Sequence, residues 1–232
     1  MISWIKEVIK NEYHIIKLIS KNNNSEIKLI ENNSTGKKLV LKELNGDCEA
    51  YKKLVNINHK NLPIIYEAIS ENNNSVILEE YIDGITVGDI LETGLYTDEG
   101  AYEVIRQLCN ALKVLHDNNI IHRDIKPENI MITNDGDVKL IDYNIARIKK
   151  PEENRKDTRV LGTIGFAAPE QFGIAMSDER TDIYALGILI NVMLTGEHPS
   201  KKICTGRWKR IVQKCTSINP NDRYRKVEDI IN

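Results

Sequence analysis

The chain has 232 residues, 41% of them hydrophobic and 28% charged, with a formal net charge of −2. That is enough apolar material for one large domain or two small lobes, and the near-neutral balance lacks the basic excess of a general nucleic-acid binder. The longest apolar run, 183–194, is too short to span a bilayer, and no signal peptide opens the chain, so no membrane insertion within it is expected.

Residues 1–12 read as a short amphipathic helix or a lead-in strand. Strand-like segments follow at 13–19, 26–32 and 37–44, separated by Asn-rich and Ser/Gly turns as hairpins require. Residues 46–57 have helical apolar spacing, with Asp47 as the N-cap. Two more strands, 62–70 and 75–82, are joined across a run of asparagines. The pattern changes after 83–91: residues 99–119 form a long amphipathic helix, and the chain is mostly helical from about residue 178. The expected architecture is therefore α+β in two parts, a small antiparallel sheet with one main helix and a larger, mainly helical part, with the joint at 82–84. Cys48, Cys109, Cys204 and Cys215 show no paired metal spacing and read as reduced, buried, structural side chains of a cytoplasmic protein.

The chemistry concentrates in the stretch IIHRDIKPENIMI, 120–132, which sets Asp124, Lys126 and Asn129 between two apolar runs. Phosphoryl transfer from ATP passes through a loose transition state, so a protein mainly positions groups and neutralises charge. It needs a carboxylate at the attacking hydroxyl, a cation near the moving phosphoryl and oxygen ligands for Mg²⁺. Asp124, Lys126, Asn129 and Asp142 supply that set. A lone loop aspartate is usually a solvated turn residue, but Ile120, Ile121, Ile125, Ile130 and Ile132 hold this one against a core.

HRDIKPEN (122–129) resembles the catalytic loop of eukaryotic-type protein kinases, in the form found in bacterial Ser/Thr kinases. IDYN (141–144), GTIGFAAPEQ (162–171), TDIYALG (181–187) and NPNDRY (219–224) resemble further motifs of that family, in family order, so the likeness covers nearly the whole chain. It implies a single bilobal kinase-like domain over 1–232, with an N-lobe at 1–81, a hinge at about 80–84 and a C-lobe at 85–232. Asp124 would orient the substrate hydroxyl, Lys126 would stabilise the γ-phosphoryl, and Asn129 and Asp142 would hold Mg²⁺. Lys42, fifteen residues after Ile27, would grip the α- and β-phosphates of ATP. Ile27 and Val40 would roof the adenine, Met131 would floor it, and Glu80, Tyr81 and Ile82 would offer hinge backbone. Glu79 falls at the gatekeeper position, an unusual polar choice there. A buried Glu170–Arg223 ion pair and an Asp182 that holds the catalytic loop from below are expected, with Thr163 touching Asp124 and Lys126.

The sequence departs from the family in four places. Ser20–Ser25 (SKNNNS) stands where the family has a glycine-rich phosphate loop; Asn tolerates left-handed backbone and Ser is small, so the loop is expected to cover ATP less closely. The metal triplet reads Asp-Tyr-Asn. Glu49, the candidate helix partner of Lys42, falls one residue off register. The region after 195–199 is trimmed, which removes a docking helix. Arg123 before the catalytic aspartate implies control by a phosphorylated activation segment, with Thr158 as the acceptor, and Lys149, Lys150, Arg155, Lys156 and Arg159 either clasp that phosphate or an acidic substrate or form a solvated loop. The implied partners are ATP, a Ser/Thr-bearing protein and a transient second copy for trans-autophosphorylation. The alternatives are a pseudokinase scaffold and a small-molecule kinase of the same fold.

Overall fold

The computed structural model describes residues 1–149, 162–173 and 176–231. The chain forms two compact units, Met1–Asp83 and Gly84–Asn232.

The first unit opens with helix α1 (Ile2–Glu12), so the helical alternative is the one adopted. Strands β1 (Tyr13–Lys21), β2 (Ser25–Asn32) and β3 (Lys38–Asn45), helix α2 (Glu49–Leu54), and strands β4 (Ile65–Glu71) and β5 (Asn74–Glu80) follow. The five strands form one antiparallel sheet in the order β1-β2-β3-β5-β4. Because strand side chains alternate, β3 splits into two sets. Leu39 and Leu41 join Ile30 and Val76 under Ile5 and Ile9 of α1. Val40 and Lys42 point to the other face. Replacing Ile5 by Ala leaves a cavity in that cluster; unfolding is expected to cost about 2–4 kcal/mol less, read as a lowered calorimetric midpoint.

The two asparagine runs make different turns. Asn72 and Asn73 both have positive φ, 52° and 59°, as a two-residue primed hairpin turn requires, and asparagine tolerates that region. Asn22–Asn24 contain no positive-φ residue; Asn22 Oδ1 instead accepts the backbone N–H of Asn24 (2.8 Å) and Ser25 (2.9 Å). Helix α2 is only six residues long, half the expected span, and Asp47 does not cap it. Its carboxylate accepts from the Ser70 hydroxyl at 2.7 Å and from the Lys52 ammonium at 3.0 Å, tying the helix start to β4. β4 starts at Ile65 rather than 62, after Pro63.

The second unit contains β6 (Gly84–Thr86), α3 (Val87–Thr93), α4 (Asp98–Asp117), β7 (Ile120–Ile121), β8 (Ile130–Thr133), β9 (Val138–Leu140), β10 (Arg147–Ile148), α5 (Glu179–Thr195) and α6 (Gly206–Cys215), with short 3-10 turns between and after them. Local chemistry sets the helix ends. Thr86 and Asp89 form a reciprocal capping box on α3, Thr97 accepts from Gly100 N–H at the start of α4, and Gly196 (φ 72°) closes α5 in the left-handed region. α5 is buried nearly all round and α6 packs on it; a Cβ at Gly187 would lie 2.4 Å from the Cys215 Cβ, so only glycine allows that approach. Antiparallel β6-β8-β9 and the β7–β10 pair support the loops that carry the site. All four cysteines are buried free thiols, and burial raises the Cys215 thiol to about 12.

Candidate active site

In the first unit the site is built from register. Lys42 pairs with Ile77 and Val40 with Glu79, so Lys42 and Glu79 are diagonal neighbours on one face, within reach of long side chains. The Lys42 ammonium lies 2.8 Å from Glu79 Oε2 and donates to the Tyr51 hydroxyl at 3.2 Å. It also sits 5.2 Å from the centre of the Tyr51 ring. Lys42 is 4% exposed and Glu79 3%, so neither charge has bulk water to lean on. Glu49, the residue read as the partner of Lys42, is exposed in the first turn of α2, while Tyr51 of the same helix is buried. Ile27 is the cross-strand partner of Lys42 on β2, and Val40 lies two residues before Lys42 on β3. Glu80 ends β5, where its N–H donates to the Ile64 carbonyl (2.8 Å) and its carboxylate accepts from Ile64 N–H (2.9 Å); Ile82 is buried. Ser20 lies in β1 and Ser25 opens β2, on either side of the glycine-free turn.

In the second unit, the loop after β7 is fastened from α5. Asp182 accepts the backbone N–H of His122 (3.0 Å) and Arg123 (2.8 Å) and the His116 ring Nε2 (2.8 Å). Burial alone would raise the Asp182 carboxyl, but His116 and these N–H groups hold it below the usual carboxylate range. Arg123 adopts φ 66°, a conformation held by its Nε bond to the Ile145 carbonyl (2.7 Å) and by Gln171 Nε2, which donates to the Arg123 carbonyl at 2.8 Å. Gly162 has φ 117°, and a Cβ there would also come within 2.9 Å of the Ala167 Cβ, so this segment needs glycine there.

Asp124 then faces three partners. Thr163 Oγ1 donates to Oδ1 at 2.7 Å, the Lys126 ammonium lies 3.0 Å from Oδ2, and Asn129 Nδ2 donates to Oδ2 at 2.8 Å and to the Asp124 carbonyl at 2.9 Å. Lys126 also donates to Thr163 Oγ1 at 2.9 Å. Burial raises the Asp124 carboxyl, but Thr163 and Lys126 outweigh it, so the group is held below its ordinary range and is ionised at neutral pH.

Both Asn129 amide contacts run through Nδ2, which turns the carbonyl oxygen Oδ1 away from Asp124. Ile141 N–H donates to the Asn129 carbonyl at 2.9 Å, continuing the β8–β9 ladder and setting Asp142 one residue beyond the partner of Asn129. Asp142 takes φ 67°, and its Oδ1 accepts from Asn144 N–H (3.2 Å). An amide oxygen and a carboxylate are hard donors. Among the described residues no group of three or more His, Cys, Asp or Glu side chains is placed to hold a metal ion. This donor set fits a cation that takes one carboxylate and fills its other positions with water and phosphate oxygens, as Mg²⁺ does. Met131 lies on β8, two residues beyond Asn129. Tyr143 is buried and its hydroxyl donates to the Leu140 carbonyl at 2.6 Å.

His122 packs edge-on against Tyr143, 5.2 Å between ring centres. Its Nε2 faces the Ile141 carbonyl (3.2 Å) and its Nδ1 faces the Asp124 N–H (3.3 Å), which together require the neutral tautomer protonated on Nε2. Burial lowers the ring's affinity for a second proton. A group with a depressed folded value contributes its full stability above its unfolded value, about 6.5, and loses it as pH falls towards the folded value. Unfolding free energy is therefore expected to drop below pH ~6.5 with a slope of up to about 1.4 kcal/mol per pH unit, and His122→Gln to flatten that slope. Denaturant titrations between pH 5 and 8 check this.

The sequence reading did not name Glu79 as the partner of Lys42, the Tyr51 hydroxyl, His116 on Asp182, or Gln171 on the Arg123 carbonyl. Of these, Glu79 carried a signal, a carboxylate within an otherwise apolar strand. Thr158, Lys150, Arg155, Lys156 and Arg159 lie outside the described residues. Lys149 bonds Glu179 at 2.8 Å.

A carboxylate bonded by a lysine and an asparagine, with a second carboxylate two residues beyond β9, is a set of groups suited to phosphoryl transfer. A model of the protein kinase domain matches residues 10–230. The chain belongs to the protein kinase domain family. Among curated relatives, it is 44% identical over 126 residues to the serine/threonine-protein kinase PknB of Mycobacterium tuberculosis, covering 53% of this chain and 20% of the relative. It is 27% identical over 261 residues to the serine/threonine-protein kinase PrkC of Bacillus subtilis, covering 96% of this chain and 40% of the relative. Against the serine/threonine-protein kinase PknL of M. tuberculosis it is 30% identical over 174 residues, 75% of this chain and 43% of the relative. The chain thus spans less than half the length of each.

Proposed function

We propose that this chain is a Ser/Thr protein kinase domain that transfers the γ-phosphoryl group of Mg-ATP to protein hydroxyls. The observation that carries the reading is the Asp124 carboxylate, rigidly held and already accepting a hydroxyl hydrogen bond at 2.7 Å beside a lysine ammonium. A strongly ionised aspartate is a weak base, but a loose transition state asks it to orient the attacking oxygen more than to remove its proton early. Lys126 is placed to meet charge that builds on the transferred group. Asn129 and Asp142 are the residues that would hold Mg²⁺, whose chemistry is to neutralise phosphate charge.

Lys42 is the phosphate-gripping lysine in this reading, with Ile27, Val40, Met131, Glu80 and Ile82 as adenine contacts and Ser20–Ser25 as the phosphate cover. Thr158 is the proposed activation-segment acceptor, modified by a second copy of the chain, and the cytoplasm, where ATP is present, is the proposed location; no helix among the described residues is long and apolar enough to cross a membrane. The PknB and PrkC names support Ser/Thr over Tyr as acceptor.

A second reading, a scaffold that binds nucleotide without efficient transfer, is favoured by the glycine-free turn at Asn22–Asn24. Incubation with labelled Mg-ATP and a library of Ser-, Thr- and Tyr-bearing peptides separates them. Label on Ser and Thr is expected, absent with Asp124→Asn; nucleotide binding with no transfer above that variant would establish the scaffold instead.

A further inference from the structure

We propose that Glu79 on β5 is the residue that positions the Lys42 ammonium, a role the family resemblance assigns to a helix glutamate. The inference rests on the kinase reading for its functional consequence. The contact itself is a matter of register: β3 and β5 are hydrogen-bonded neighbours from Leu39↔Glu80 to Asn45↔Asn74, and the Lys42–Glu79 diagonal lies inside that ladder. A side chain anchored in the middle of a sheet has little freedom to wander, and the 2.8 Å contact is buried on both sides. Helix α2 offers a poorer platform. It has six residues, its first-turn carboxylate Glu49 is exposed, and short helices are marginal on their own. From α2 the Tyr51 hydroxyl reaches Lys42, 3.2 Å away, a neutral acceptor that steadies the ammonium without matching its charge.

Glu79 therefore acts through Lys42 and is a positioning residue. The consequence is specific: a charge that holds the lysine comes from the strand next to it, fixed by the β3–β5 register. A neutral side chain of the same shape at 79 leaves the buried ammonium without its counter-charge, and Lys42 then has less reason to occupy the place from which it meets phosphate.

The test uses Glu79→Gln, Glu49→Gln, Lys42→Met and the Glu79→Gln/Lys42→Met double variant of the whole chain, with Mg-ATP affinity by calorimetry and steady-state kinetics side by side. Glu79→Gln is expected to weaken Mg-ATP binding by at least about 10-fold and to raise the ATP KM while leaving the acceptor KM unmoved. Glu49→Gln is expected to change either by less than about twofold, and in the Lys42→Met background Glu79→Gln is expected to add nothing, because its effect passes through the lysine. A merely structural role would lower both KM-linked rates and the melting midpoint together, and would persist without Lys42. Glu79→Gln binding like the unaltered chain, or weakening equally in the Lys42→Met background, overturns the proposal. If the unaltered chain binds Mg-ATP but transfers nothing, the transfer reading fails and Glu79 is judged on the affinities alone; if it binds no nucleotide, both fall.

Discussion

Arg223→Ala is expected to lower unfolding free energy by about 3–5 kcal/mol, the largest stability effect of any single substitution considered. The reason is the company its guanidinium keeps. Nη1 donates to Glu170 Oε1 at 2.7 Å and to the Arg180 carbonyl at 2.9 Å, Nη2 to Glu170 Oε2 at 3.0 Å and to the Ile218 carbonyl at 3.2 Å, and Nε to the Ser217 carbonyl at 2.8 Å. Every N–H of the group is thus used, its side chain is fully buried, and it lies 4.8 Å from the Tyr184 ring centre. Removing it strands the Glu170 carboxylate, 4% exposed, with the Thr181 hydroxyl (2.9 Å) as its remaining named donor. Because a buried pair costs desolvation on both sides, replacing both members by apolar residues is expected to hurt much less than replacing one. Denaturant unfolding of Arg223→Ala, Glu170→Leu and the double Glu170→Leu/Arg223→Leu variant gives the answer: singles near the unaltered protein would mean that the pair does not fasten this segment.

Asp124→Asn is expected to slow phosphoryl transfer by roughly 10²–10⁴-fold with the ATP KM little changed. Asparagine keeps the size of the side chain and can still meet Asn129 and Thr163, so the loop should stay folded; what is lost is the charge that orients a hydroxyl and balances Lys126. The fold of the variant is checked by its unfolding midpoint, and a rate within tenfold of the unaltered chain would remove Asp124 from the centre of the chemistry.

How far the sequence reached follows from what kind of signal each feature left. The α+β division, the long helix α4 and the loop chemistry at 120–132 were legible because apolar periodicity and a dense run of reactive residues are local patterns. The Glu170–Arg223 pair and the Asp182 anchor were legible only through the family resemblance, since partners 53 and 60 residues apart leave no mark in spacing. The helix at 46–57 was overestimated: its apolar spacing is real, but Asp47 bonds sideways to Ser70, and only Glu49–Leu54 is helical. The environment of Lys42 was the least legible, because a diagonal contact depends on which strands are neighbours, and the order β3-β5-β4 is a tertiary fact. Asn72 and Asn73 show the same limit on a smaller scale, since one asparagine run adopts left-handed backbone and the other does not.

The most direct test of the central claim, that this chain carries out phosphoryl transfer through Asp124, is the intact mass of the purified protein after incubation with Mg-ATP and a Ser/Thr acceptor, beside Asp124→Asn. Added mass in whole phosphoryl units on the chain or the acceptor, missing from the variant, is the predicted result. Equal masses for both proteins and an unmodified acceptor would contradict it.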